Sequence, residues 1–352
     1  MLKVAVIGAG LIGRKHIATV QDLPCFDLAA IVNPESPSDT LAKASGAKRF
    51  FSHTEMLENT PVDCAVIASA TPSHCQIAVD LLDRGIPVLI EKPIAETVQQ
   101  GLEIEAAARR TGVPALIGHH RRHNPVLQQF RDVIMEESLG KLIAFSGIWS
   151  VYKPTPYYDV EWRVGSGGGP VLINLIHEID NLQAMLGPIT TVAVIDGTRR
   201  RDHNTEEAFS ASFGFSNGVV GSVVLSDSAA SPWSWEQSTG ENSALFPKNA
   251  ENPYRFMFEG GAIEFPGLQT WRQSPPDWTT HISQSEPYDA RHAEIDVFTA
   301  QLEHFAEVAQ GKVDPKVTIR DGVQSLHVAE IVKGLLVRGG GFTGVDILGW
   351  ID

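Results

Sequence analysis

The first 118 residues constrain the fold most, because they repeat one unit: a short β-branched run followed by an amphipathic stretch. Strand-like runs fall at 2–7 (LKVAVI), 27–32 (DLAAIV), 63–68 (DCAVIA), 86–90 (IPVLI) and 114–117 (PALI). Helix-period segments lie between them, notably 73–84 and 96–110, the latter with Thr97 placed as its cap. Strands alternating with helices predict a parallel, doubly wound sheet that binds its ligands beyond the carboxyl ends of the strands.

The first repeat is joined by Gly8-Ala9-Gly10-Leu11-Ile12-Gly13, a G-x-G-x-x-G pattern. Alone the pattern is weak. Here it follows a strand and opens a helix, where the glycines permit a tight turn, close approach of a pyrophosphate and close helix packing. The expectation is an α/β Rossmann dinucleotide-binding domain over residues 1–120, with NAD or NADP as cofactor and Gly8, Gly10, Leu11, Ile12 and Gly13 around the pyrophosphate. The residue that grips the adenosine ribose comes about 20 positions later, and it is Asn33, which carries no carboxylate. No Arg or Lys follows at once to bind a 2′-phosphate, so the choice between NAD and NADP stays open. The run over 86–90 ends in Glu91-Lys92-Pro93, which puts Lys92 at the sheet edge where the nicotinamide end should lie.

Beyond residue 120 the rhythm changes. A helix is expected over 125–137, a strand over 141–150, and a helix over 170–186 that opens at Pro170 after Gly167, Gly168 and Gly169. Strands follow at 189–199, 206–215 and 218–227, the last two joined across Ser216-Asn217-Gly218, then at 254–259 and 262–266, with helices over 289–310 and 321–336. This predicts a second domain over 121–352, of α+β class, with a large, mostly antiparallel open sheet. The stretch 229–253 has no period, and loops of such length are often functional.

A net charge of -14 opposes binding to nucleic acid or an anionic membrane. No segment has 18 uninterrupted apolar residues. Cys25, Cys64 and Cys75 have neither disulfide nor zinc-ribbon spacing, so a cytoplasmic setting is expected.

Together these residues resemble the Gfo/Idh/MocA oxidoreductases, a family that includes glucose-fructose oxidoreductase and inositol dehydrogenases. The resemblance rests on the glycine pattern, on Ala70-Thr71-Pro72-Ser73-His74, on Glu91-Lys92-Pro93, on the segment from Gly118 to Pro125, and on the triple glycine followed by His177 and Asp180. It implies that Asn33, Thr71, Pro72, His74, Glu91 and Lys92 line the cofactor, that Lys92 contacts the reacting oxygen, and that His177 is the acid/base. It also implies that the second domain's sheet forms the substrate cleft and a subunit interface, giving a homodimer or homotetramer.

One departure matters. Where family members commonly carry Asp four residues before the histidine, this chain has Ile173, followed by Asn174. On an α-helix Asn174 and His177 share a face, so Asn174 is expected to bind a substrate hydroxyl while His177, with an ordinary pKa of about 6.5, moves the proton. His119, His120 and His123 invite a metal reading, but Arg121 and Arg122 beside them would repel a cation, so no metal is expected. His120, Arg122 and Arg163 are read instead as substrate contacts suited to a carboxylate, and Trp235 as a cleft wall.

The function expected is an NAD(P)-dependent dehydrogenase acting on CH-OH, interconverting a secondary alcohol and a ketone on a sugar, inositol or related polyol or its acid. Two alternatives stand beside it: a dehydrogenase of a carboxylated cis-dihydrodiol in aromatic catabolism, and a non-catalytic nucleotide-sensing regulator.

Overall fold

The computed structural model describes residues 1–34, 38–165, 167–243, 245–285 and 296–347. They divide into two compact units, Met1–His123 with Ile295–Leu326, and Asn124–Glu294 with His327–Asp352.

The first unit is built on six parallel strands, β1 (Leu2–Ile7), β2 (Phe26–Val32), β3 (Lys48–Phe50), β4 (Cys64–Ile67), β5 (Val88–Ile90) and β6 (Ala115–Ile117), in the order β3-β2-β1-β4-β5-β6. The central strands are buried on both faces, which is why they read as unbroken apolar runs. Helices α1 (Leu11–Asp22), α2 (Ser38–Ser45), α3 (His53–Asn59), α4 (His74–Leu82) and α5 (Val98–Thr111) connect them. Thr97 caps α5 as expected, its hydroxyl accepting from Gln100 N–H at 3.3 Å. Strand β3 was not anticipated, because three residues with one buried side chain carry no periodicity. This unit also takes in the helix Val297–Ala309, which follows the predicted second domain's sheet in the chain. Its apolar stripe packs beside α1 and β6, a long-range return that a single boundary at residue 120 omits. The helix starts with Asp296, whose carboxylate accepts from Phe298 N–H at 2.9 Å; residues 289–295 of the predicted helix lie outside the described residues.

The second unit begins with α6 (Pro125–Met135) and β7 (Leu142–Ser150). After α7 (Ile176–Leu186) come β8 (Ile189–Asp196), β9 (Ala208–Phe215), β10 (Val220–Ser226), a short α8 (Trp235–Thr239), β11 (Tyr254–Phe258), β12 (Gly261–Phe265), β13 (Gln269–Arg272), β14 (Ser283–Ser285) and β15 (Gly341–Gly344). The nine strands form one sheet, β14-β13-β12-β11-β7-β10-β9-β8-β15, in which β7 and β10 are parallel and every other described pair is antiparallel. Phe130, Phe145, Phe256 and Phe265 pack with α6, α7 and the inward side of the sheet into its core. β9 alternates strictly between half-buried and buried residues, the pattern of a sheet covered on one face.

Candidate active site

Each glycine of the fingerprint has its own steric reason. Gly8 has φ 102°, and a Cβ there would lie 2.4 Å from Ala68 O. A Cβ on Gly13 would lie 2.1 Å from Gly8 O, so helix and turn pack backbone to backbone. A Cβ on Gly10 would meet nothing within 4 Å. Gly10 also caps α1 without a side-chain hydrogen bond, and the first turn carries no acid. Open space before an uncapped, positive helix end is what a pyrophosphate requires, so the residues fit a dinucleotide. Leu11 in that turn is 79% exposed and Ile12 is half-buried.

Beside the turn, Asn33 Oδ1 accepts from Ala9 N–H at 3.3 Å. Thr71 and Pro72 form a 3-10 turn after β4 that leads into α4. His74 is buried, with Nδ1 3.0 Å from Pro93 O and Nε2 3.1 Å from Ser69 O. Burial pushes its pKa down, and the two carbonyls only partly oppose that. The ring thus ties the end of β4 to the loop that follows β5.

That loop carries Lys92. Parallel pairing puts the ends of β1, β4 and β5 on one sheet edge, so Lys92 shares an edge with the glycine turn. Its backbone N–H donates to Glu91 Oε2 at 3.2 Å, and Glu91 Oε1 lies 2.7 Å from His16 Nε2 on α1. Burial raises the Glu91 carboxyl's pKa, but the His16 hydrogen bond and the charges of His16, His120 and Lys92 outweigh it and leave the value below the ordinary one. Sequence reading passed over His16; the available signal was a polar residue on the inward side of α1, three positions after Gly13.

The segment after β6 forms a 3-10 turn, His120–His123. His120 is half-buried and stacks on Phe298, ring centroids 4.6 Å apart. Arg122 Nη2 donates to Lys316 O at 3.3 Å, while Arg121 is the buried arginine of the pair, at 1% exposure. Burial first, and nearby cations second, push His119 well below its ordinary pKa and His123 down to about 3. Among the described residues no group of three His, Cys, Asp or Glu is arranged to hold a metal.

In the second unit the triple glycine shapes the entry to α7. A Cβ on Gly168 would lie 2.3 Å from Arg163 O, and one on Gly169, at φ 85°, would lie 2.6 Å from Glu206 Oε1. Glu206 Oε1 then accepts from Val171 N–H at 2.8 Å, an acid at a helix N-terminus. The predicted helix is not uniform: Val171–Leu175 form a π turn before α7 begins. The face-sharing argument for Asn174 and His177 assumed regular α pitch, which the π turn replaces. His177 lies one residue inside α7 and is buried, as are Glu178 and Asp180.

Asn174 is buried and accepts from Lys153 Nζ at 2.7 Å. Because β7 and β10 run parallel, the residues just past their ends meet: Lys153 Nζ lies 3.5 Å from Asp227 Oδ2. Asp227 also accepts from Arg201 Nη1 at 2.7 Å and Tyr158 Oη at 2.5 Å. Desolvation drives the Lys153 pKa down, and Asp227 only partly restores it. Lys153, Arg201 and Asp227 were not foreseen, since their meeting depends on a strand pairing that no local pattern announces. Arg163 donates to Tyr157 O at 2.8 Å and stacks over the Tyr157 ring at 4.2 Å, with Lys153 Nζ 5.0 Å from that ring. Trp235, expected as a cleft wall, is 1% exposed and packs against Phe265 in the core; its place at the start of α8 turns the indole inward.

Residues 2–119 match a family described as an oxidoreductase family with an NAD-binding Rossmann fold, and residues 127–246 match the GFO/IDH/MocA C-terminal domain. The chain is 26% identical over 340 residues to the rhizopine catabolism protein MocA of Rhizobium meliloti, covering 96% of this chain and 95% of that one. It is 22% identical to the NAD(+) scyllo-inositol 2-dehydrogenase of Bacillus subtilis, covering 93% and 92%. The WlbA dehydrogenase of Bordetella pertussis, solved with NADH and UDP-GlcNAcA, shares the fold at a TM-score of 0.81, with 20% identity and 98% of each chain covered. A myo-inositol dehydrogenase from Corynebacterium glutamicum does so at 0.74, with 20% identity, covering 98% of this chain and 99% of that one.

Proposed function

Since the chain belongs to the Gfo/Idh/MocA oxidoreductase family, we propose that it interconverts a secondary alcohol and a ketone on a sugar, inositol or related polyol or its acid. The observation that carries this reading is Lys92. It stands on the same sheet edge as the glycine turn, with its backbone held by a buried Glu91–His16 pair that no surface lysine needs.

A bound nicotinamide dinucleotide supplies the hydride acceptor or donor. Gly10 and the first turn of α1 receive its pyrophosphate, and Asn33 stands at its adenosine ribose. In oxidation the Lys92 ammonium stabilises the alkoxide charge that develops as hydride leaves, and His177 takes the hydroxyl proton. Glu91, His16 and His74 act as positioning residues, fixing the loop that carries Lys92. Where relatives commonly pair an Asp with the histidine this chain has Ile173, next to an Asn174 held by Lys153, so His177 carries the proton transfer without a carboxylate four residues before it.

A substrate bearing a carboxylate, such as a carboxylated cis-dihydrodiol, is the second reading. Lys153 and Arg163 flanking the Tyr157 ring favour it, because two cations around an aromatic face suit an anionic ring. The test is a panel of polyols, sugar acids and dihydrodiols with both dinucleotides, followed by nicotinamide absorbance. Turnover of a polyol or its acid, abolished by Lys92→Ala, supports the reading. Tight dinucleotide binding with no turnover on any member makes the chain a nucleotide sensor instead.

A further inference from the structure

A lysine is rarely taken out of water unless an anion meets it there. Lys153, just past the end of β7, is 9% exposed. Among the described residues, the shortest hydrogen bond of its ammonium runs to a neutral group, Asn174 Oδ1 at 2.7 Å. Asp227 Oδ2 lies 3.5 Å away, at the outer limit of a hydrogen bond. That carboxylate is already engaged, Oδ1 by Arg201 Nη1 at 2.7 Å and Oδ2 by Tyr158 Oη at 2.5 Å. Glu236 adds attraction, with its Oε2 bound by Trp149 Nε1 at 3.0 Å, while Arg201 opposes the ammonium as a second cation on Asp227. Burial outweighs these attractions and leaves the Lys153 pKa below its ordinary value.

The structural duty of this residue falls to its backbone. Lys153 N–H donates to Asp227 O at 2.9 Å, and Lys153 O accepts from Arg201 Nη2 at 3.2 Å. The segment is thus tied to the end of β10 without the ammonium, and a buried charge that lacks a close counterion costs stability. The rings of Tyr157 and Trp149, 5.0 and 5.6 Å from Nζ, wall the ammonium with apolar surface, which lowers screening and strengthens its hold on an anion. A lysine only donates, so Asn174 turns Oδ1 toward it and its own N–H donors away.

We propose that the Lys153 ammonium, oriented by Asn174, is a binding subsite for a carboxylate of the substrate. A carboxylate suits it better than a phosphate, because one ammonium matches one negative charge, whereas a dianion would leave buried charge uncompensated. Asn174 precedes His177 by three residues, so a group held there lies within about one helical turn of the residue that moves the proton. The inference rests on the dehydrogenase reading above and narrows its substrates to the acids.

The test titrates the full chain by calorimetry, with and without each dinucleotide, against probes paired to differ in charge alone. The pairs are D-gluconate and D-gluconamide, D-glucuronate and D-glucuronamide, and the cis-dihydrodiols of benzoate and benzamide. In at least one pair the acid should bind roughly 10- to 100-fold more tightly than the amide, the range of a charge-assisted hydrogen bond. K153M should cut that preference about tenfold or more, and its melting temperature should hold or rise, since Met fills the space without a charge to desolvate. N174D gives Lys153 a carboxylate of the protein's own, so it should also abolish the preference while raising the melting temperature.

A wild type with no acid preference in any pair overturns the proposal. A K153M chain that loses several degrees or fails to fold makes the ammonium a structural group and overturns it too, as does an N174D chain that keeps the preference. Acid binding that K153M abolishes, with no turnover of any probe, leaves the subsite standing and refutes the dehydrogenase reading. Turnover confined to neutral polyols does the reverse.

Discussion

Removing His16 tests whether the buried pair beneath Lys92 matters as its geometry implies. His16 Nε2 and Glu91 Oε1 lie 2.7 Å apart, and the two side chains are 0% and 5% exposed, so in His16→Ala water does not readily replace the lost partner. The variant has two routes. It can keep the carboxylate charged and bear the cost of a broken buried pair, about 3–5 kcal/mol. Or it can protonate Glu91, which at pH 7 for a carboxyl of ordinary pKa 4.5 costs about 3.4 kcal/mol, at roughly 1.36 kcal/mol per pH unit. The second route caps the first, so the expected loss is about 3 kcal/mol at pH 7 before any contribution from the cavity.

A cavity alone would be insensitive to pH, and the pair is not. In wild type the folded carboxyl titrates below its unfolded value, so its contribution is present above 4.5 and is lost as pH falls through the folded value. In the variant the folded state holds a proton that the unfolded state has released, so stability falls as pH rises, by up to about 1.36 kcal/mol per pH unit above 4.5. Urea unfolding at several pH values between 5.5 and 8 reads both effects. Far-UV circular dichroism is the right probe, because no tryptophan lies within Met1–His123 or Ile295–Leu326. His16→Gln, which retains a donor, should recover most of the loss. A His16→Ala loss below about 1 kcal/mol with no pH dependence relative to wild type would refute the reasoning.

His177→Ala should lower turnover by roughly 100- to 10,000-fold with dinucleotide affinity unchanged, and Lys92→Ala should be at least as damaging; stopped-flow turnover with parallel nucleotide titration measures both. Gly10→Val should weaken dinucleotide binding with little change in melting temperature, since its Cβ enters open space. Gly13→Ala should do the reverse, costing about 1–3 kcal/mol and several degrees of melting temperature, because its Cβ meets the backbone of Gly8. Val224 is 50% exposed on the uncovered face of the nine-stranded sheet, beside Ser210 on β9 and Ile148 on β7. If that face joins subunits, Val224→Lys should shift the mass measured by light scattering toward the monomer, and a monomeric wild type at micromolar concentration would refute the interface.

The βα rhythm, the glycine turn, the cap at Thr97 and the hairpin at Ser216-Asn217-Gly218 were all legible in the sequence, because each depends on residues within a few positions of one another. The same locality put Lys92 at a sheet edge: a strand followed by a polar break shows where the strand ends. Short edge strands such as β3 and β15 escaped, since three or four residues do not establish a period. Trp235 was misjudged because exposure depends on which way a short helix faces its sheet, and composition does not encode that. The polar contacts around the proposed site span the chain: His16 with Glu91 across 75 positions and Lys153 with Asn174 across 21. Strand order and register decide which distant polar groups meet. A local hydrophobic pattern can specify that a strand exists, but which strand lies beside it, and hence that Lys153 past β7 meets Asp227 past β10, follows only once the whole sheet has closed its core.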